Sequence, residues 1–238
     1  MTKKAGWISR TLLRFVKWVE KRPRLEYASM KQGHSDWDYV QADLQSWESE
    51  PDEARLSEAL SLSSTEPERA FSLLYRLAEE GSPIAMNLLG ERYYGGRVVP
   101  VDKTEGERWF ERAFDRGSLR GMLNYGKALV RRGEFSCAET VFSVGAAQDW
   151  GPALYWLASV EYRRSEGRSL ARIRPLLERA VELGSPAAKM MLGLFMVMGR
   201  YGLGQVPRGY RLAMSAARII PGDTGRKPKK TASGETIH

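Results

Sequence analysis

The stretch Gly81-Ser-Pro-Ile-Ala85-Met-Asn-Leu-Leu89-Gly90 decides the fold of this 238-residue chain, because it returns three more times. Its echoes are Gly117-Ser-Leu-Arg-Gly121-Met-Leu-Asn-Tyr125-Gly126, Asp149-Trp-Gly-Pro-Ala153-Leu-Tyr-Trp-Leu157-Ala158 and Gly184-Ser-Pro-Ala-Ala188-Lys-Met-Met-Leu192-Gly193. The starts lie 36, 32 and 35 residues apart, which is room for two short helices and their turns. Each block opens on a turn or cap signal and then runs apolar at helical spacing, so first helices are expected over 83–94, 119–131, 151–163 and 186–198. A second pattern precedes each restart: Ala70-Leu73-Leu74-Leu77, Gly106-Trp109-Phe110-Ala113, Ala138-Val141-Phe142-Gly145, Ile173-Leu176-Leu177-Ala180 and, last, Gly209-Leu212-Ala213-Ala216. These are the i, i+3, i+4, i+7 positions of one helix face.

Glycine or alanine recurs in mid-helix at 90, 126, 158 and 193, where Gly is about 1 kcal/mol worse than Ala. Its recurrence implies the close approach of a neighbouring helix, with a large residue opposite, such as Trp109 or Phe110, filling the missing side chain. Gly95, Gly96, Gly133 and Gly199 fall just past the first helices, where a left-handed residue closes the helix. Pro175 lies inside a second helix, where its ring would clash with the carbonyl four residues back. That helix is therefore expected to begin near Arg174 or to kink.

On these residues the chain resembles a known family. Ala85, Leu89, Gly90, Tyr93, Gly96, Val98, Val99, Asp102, Gly106, Trp109, Phe110, Ala113 and Gly117 stand at the spacing of the Sel-one-like repeat, a relative of the tetratricopeptide repeat. The chain departs from the family at Gly106, where alanine is preferred. The second unit shortens its interhelix loop to Arg132-Gly133-Glu134 and loses the Asp, and the third has Ala158 for glycine. The resemblance covers roughly 66–220. It implies an all-α fold, an α/α right-handed solenoid with a concave groove, and a scaffold that assembles other proteins rather than an enzyme.

Outside the repeats, Asp36-Trp37-x-x-Val40-x-x-x-Leu44-x-x-Trp47 reads as one amphipathic helix and Pro51 to Leu62 as another, begun by Pro. Thr65-x-x-Glu68 reads as a capping box opening a helix over 66–79. The expected organisation is a basic amphipathic helix in 1–33, an acidic helical cap in 34–65, the solenoid in 66–220 and a disordered basic tail in 221–238. These segments are strongly segregated in charge. The net charges of 1–33, 34–69, 70–199 and 200–238 are +7, −8, +3 and +6. A nucleic-acid-binding domain usually carries its basic excess on the folded face that docks, so this distribution argues against nucleic acid as the partner.

Chemistry is sparse. One cysteine and two histidines exclude an intrachain disulfide and any Cys-based zinc pattern. The phosphate-loop, dinucleotide, zincin and nucleophile-elbow motifs are all missing, and Gly202-Leu-Gly204 reads as a turn within the last unit. His34 beside Asp36 and Asp38 is either a weak metal cluster or an acidic helix N-terminus. Cys137, between apolar neighbours on a helix, is expected to be a buried small hydrophobe. No catalysis, cofactor or metal is expected. Neither a secretion signal nor a membrane span is readable, and a cytoplasmic location follows as the expectation.

The expected function is therefore a non-enzymatic adaptor that binds a protein or peptide in the groove. If the packing of the tetratricopeptide relatives transfers, Asn87, Glu91, Tyr94, Arg120, Leu123, Lys127, Tyr155, Tyr162, Arg163 and Met190 are the groove residues, and their mixture of Tyr, Arg and Met suits an interface. Ile84, Arg131, Ser159, Leu194 and Val197 share that face, with Met190 and Leu194 equally readable as core. An alternative is a peripheral membrane adaptor. On a helical wheel the apolar residues of 7–19 fill one half, edged by Trp7 and Trp18, while Arg10, Arg14 and Lys17 form a stripe opposite. That arrangement suits an anionic lipid interface, or packing of the helix on the acidic cap.

Overall fold

The structure is a computed structural model and describes residues 50–96 and 98–219. The expected N-terminal helix with Trp7, Arg10, Arg14, Lys17 and Trp18, the His34 cluster, the 36–47 helix and the basic tail lie outside the described residues. Ten α-helices and no strand occur among the described residues. They are α1 Glu53–Leu62, α2 Pro67–Glu79, α3 Pro83–Gly95, α4 Lys103–Asp115, α5 Leu119–Arg132, α6 Phe135–Ala146, α7 Gly151–Arg164, α8 Leu170–Glu182, α9 Pro186–Val197 and α10 Val206–Ile219. Each helix packs on the next along the chain, and α3 also touches α5. The first helices of the repeats, α3, α5, α7 and α9, thus form one layer and the second helices the other. The arrangement is an all-α repeat solenoid.

The restart of each unit has a physical cause. Gly81, Gly117 and Gly184 adopt φ of 108°, 80° and 93°, and Asp149 takes their place in the third unit at 56°. Left-handed backbone is easy for Gly, and Asp is among the few other residues that tolerate it. It turns the following N–H back onto the previous helix: the amides of Ser82, Ser118, Trp150 and Ser185 each donate to the carbonyl five residues earlier at 2.9–3.0 Å. The same serines then cap the next helix. Ser82, Ser118 and Ser185 accept from the amides of Ala85, Gly121 and Ala188 at 3.0, 3.0 and 3.2 Å. Trp150 has no such oxygen, and α7 begins without a side-chain cap.

The second-helix pattern is the core. Trp109, Phe142, Leu74, Leu77, Ile173 and Leu177 are fully buried, with the alanines between them. The mid-helix glycines face rings and backbone as expected. A Cβ on Gly90 would lie 2.4 Å from Cε1 of Phe110, and one on Gly126 would lie 2.4 Å from Cζ of Phe142. Phe110, not Trp109, fills the space at Gly90; Trp109 belongs to the N-terminal core with Leu56 and Leu74 and meets Tyr75 edge-on. Gly106 in place of alanine is also explained, because a Cβ there would meet the ring of Tyr94 at 2.8 Å and the Gly90 carbonyl at 2.9 Å.

Five local expectations are corrected. Gly95 is the last helical residue of α3, with open space around it, and Gly96 at φ 66° is the left-handed residue. α8 starts at Leu170 and contains Pro175 well inside, because Leu170 and Ile173 are held on the core and fix the first turn. The Thr65 capping box does not form. The Thr65 and Glu66 amides both donate to the Leu62 carbonyl, and Pro67 at the first helical position makes Glu66 the cap, without a side-chain bond. The cap helix begins at Glu53 under the Asp52 carboxylate rather than at Pro51. Cys137 is exposed, since it stands one residue off the buried Ala138, Val141 and Phe142 stripe of α6.

Gly126→Leu is expected to lower stability by about 1–3 kcal/mol or more through overpacking against Phe142. Gly95→Ala should shift it by less than about 1 kcal/mol, on the stabilising side. Thermal melts of the two variants followed by circular dichroism check the contrast, and equal losses would mean that this register is wrong.

Candidate partner-binding face

The layer of first helices carries the residues proposed from sequence, and the structure divides them. Leu123 is fully buried, Asn87 is 1% exposed and Tyr155 is 5% exposed, so none of the three presents a surface to a partner. Each first helix is flanked on two sides by neighbours, which narrows its outward stripe and turns these positions inward. Ser159 and Val197, on the same expected face, are buried too. Glu91, Tyr94, Arg120, Lys127, Tyr162, Arg163 and Met190 are half-buried, and Arg131 is exposed. Met190 and Leu194 pack beside Val197, Ala213 and Tyr210 at the last helix pair.

Asn87 has a structural task that its residue type conceals. Its amide donates to the Pro83 carbonyl and to the Ser118 hydroxyl, both at 2.9 Å, and so ties α3 to the cap of α5. Tyr155 meets Trp156 edge-on and accepts, at its carbonyl, the Ser159 hydroxyl at 2.9 Å.

The half-buried residues form a linked surface across units. Arg120 Nη2 lies 2.8 Å from Glu91 Oε1, joining α5 to α3. The Tyr94 hydroxyl donates to Glu107 at 2.7 Å and accepts from Arg131 at 3.0 Å, while the Arg131 guanidinium lies 4.8 Å from the Tyr94 ring centre. Burial first, and then the Glu107 carboxylate, push the Tyr94 hydroxyl above its ordinary pKa, so it remains a protonated donor. Lys127 Nζ sits 5.3 Å from the centre of Trp156, joining α5 to α7. Tyr162 leans on Phe195 of α9 with ring centres 5.0 Å apart, and Arg200 lies 5.8 Å from the Tyr162 ring.

The opposite layer is paired differently. Arg112 meets Glu79 at 2.8 Å, and Arg179 grips Asp149 with two bonds of 2.7 and 3.0 Å. These arginines hold the Glu79 and Asp149 carboxyls below the usual carboxylate range. The pairs are exposed, and exposed pairs contribute little to stability. Sequence reading missed the Arg131–Tyr94 clasp as a pair, although the spacing of 37 residues, one repeat plus one, carried the signal.

Among the described residues, no group of three or more His, Cys, Asp or Glu could hold a metal ion. No described helix is long and apolar enough to cross a membrane.

Comparison with known proteins agrees with this architecture. The Sel1 repeat family model matches residues 83–118 and 186–215, the first unit and the last. The crystal structure of a Sel1 repeat protein from Oxalobacter formigenes is 21% identical, covers 71% of this chain and 70% of that one, and superposes with a TM-score of 0.59. A protective antigen of uropathogenic Escherichia coli strains, displaying an SLR fold, is 20% identical over 68% of this chain and 45% of that one, with a TM-score of 0.35. No curated protein matches the chain. Sel1 repeat proteins generally mediate protein–protein interaction and are typically non-catalytic.

Asn87→Ala should destabilise the fold by about 1–2 kcal/mol, the size of a buried hydrogen-bond loss. Urea denaturation measures it. A wild-type midpoint would remove Asn87 from the framework and return it to the surface.

Proposed function

Since the chain carries Sel1 repeats within an α-solenoid, we propose that it is a non-enzymatic scaffold holding a protein or peptide segment on its first-helix layer. The observation that supports this is the linked row of half-buried Tyr, Arg and Lys side chains running from α3 to α9, through Tyr94, Arg131, Lys127 and Tyr162. Large amphipathic side chains fixed by ring and hydrogen-bond contacts suit an interface, because little rotamer freedom is left to lose on binding. The packing of the core does not need their outer edges.

The test is capture from cell extract with the full chain as bait, repeated with Lys127, Tyr162 and Arg163 changed together to alanine. The variant is expected to keep its helical spectrum and to lose the partner that the wild-type chain retains. Retention by the folded variant would move the interface off this layer.

The sequence of 7–19 supports a second reading, a peripheral adaptor touching anionic lipid through Trp7, Arg10, Arg14, Lys17 and Trp18. Each basic residue near such a surface contributes about 1 kcal/mol that salt screens. Sedimentation with phosphatidylserine vesicles at low salt should therefore exceed that with neutral vesicles and fall when residues 1–24 are deleted. Equal binding to both lipids would exclude the reading.

A further inference from the structure

The two helical layers differ sharply in charge. Helices α3, α5, α7 and α9 together carry eight Arg or Lys against two acids, Glu91 and Glu161. Helices α2, α4, α6 and α8 carry eight Arg or Lys against nine acids. The repeats are close to neutral as a whole, so the sorting by layer is a property of the fold that the summed charge conceals.

The acids near the cationic layer are engaged. Glu91 pairs with Arg120, Glu107 receives the Tyr94 hydroxyl and Arg132, and Glu161 pairs with Arg164 at 2.6 Å. The cations lie on rings: Arg131 on Tyr94, Lys127 on Trp156 and Arg200 on Tyr162. A ring face positions a cation without cancelling its charge, so its field still reaches the adjoining surface.

We propose that the first-helix layer takes an acidic peptide segment, whose carboxylates are met by Lys127, Arg131 and Arg163. This rests on the reading of that layer as the partner face and names the chemistry of its occupant. Two features favour a peptide over a nucleic acid. Single-stranded nucleic acids gain affinity by stacking bases on open aromatic faces, whereas Tyr94, Trp156 and Tyr162 each already have a cation over the ring. Trp156 is in addition only 4% exposed. A continuous phosphate backbone would also pass Glu91, whereas a peptide can place an uncharged residue there.

The test selects a random dodecapeptide phage library on the full-length chain, and in parallel on a variant with Lys127→Glu, Arg131→Glu and Arg163→Glu. Helical circular dichroism and a wild-type melt certify that the variant is folded. The expected result is enrichment of peptides rich in Asp and Glu on the wild-type chain. Synthetic copies should bind at least tenfold more weakly to the variant, and more weakly to the wild type as salt rises. Absence of enrichment, neutral or basic peptides, or tighter binding of a single-stranded oligonucleotide than of the selected peptides would overturn the proposal. Neutral peptides lost on the variant would leave the partner face standing while removing its acidic specificity. Peptides bound equally by both chains would remove the face itself.

Discussion

The closeness of two backbones within a helix pair is the constraint on which the other features depend. At α3 and α4 a Cβ on Gly90 would lie 3.0 Å from the carbonyl oxygen of Gly106, and one on Gly106 would lie 2.9 Å from that of Gly90. The last pair repeats the relation: a Cβ on Gly193 would meet the Gly209 carbonyl at 2.8 Å, and one on Gly209 the Gly193 carbonyl at 2.7 Å. Helices this close leave no room for side chains at the crossing. Dispersion contacts are gained along both flanks instead, through Phe110, Tyr94 and Met196. The helix-propensity penalty of glycine is thus offset by packing, and these two pairs are the units that the family model matches.

Where the crossing is looser, the sequence drifts. Gly126 faces the tip of the Phe142 ring and no partner glycine, and the third unit has Ala158, buried without being glycine. The turns compensate for this drift. All four restarts keep the same amide bond to the carbonyl five residues back, including the third, where Asp149 stands for glycine and Trp150 for serine. Direction is therefore conserved by the backbone geometry while the side chains that first supplied it change.

This division explains what could be read in advance. Helix existence, the buried stripe and the glycine crossings were legible because each depends on spacing within one helix. The start of α8 was not, because Leu170 and Ile173 anchor the first turn to residues far away in the chain and outweigh the local cost of Pro175. The Thr65 capping box failed for a related reason: the Leu62 carbonyl took the amides of Thr65 and Glu66, which a sequence pattern does not reveal. Cys137 differs by a single residue from buried Ala138, and one residue is 100° of rotation.

The partner face was legible only as a layer. A wheel treats an exposed helix as having one buried side, but a repeat helix is covered by its own second helix and by first helices before and after it. Asn87 and Leu123 look toward the Ser118 junction and the core for that reason, while Tyr94, Arg131 and Lys127 remain at the rim, where they reach the next unit. Residue type alone does not separate these groups, since an asparagine serves equally well as a contact or as a tie between helices. Charge does separate the layers, because a cation can reach water past a ring through its long stem whereas a buried one needs a partner. The basic residues therefore collect where the first helices meet solvent, and the acids collect on the second helices.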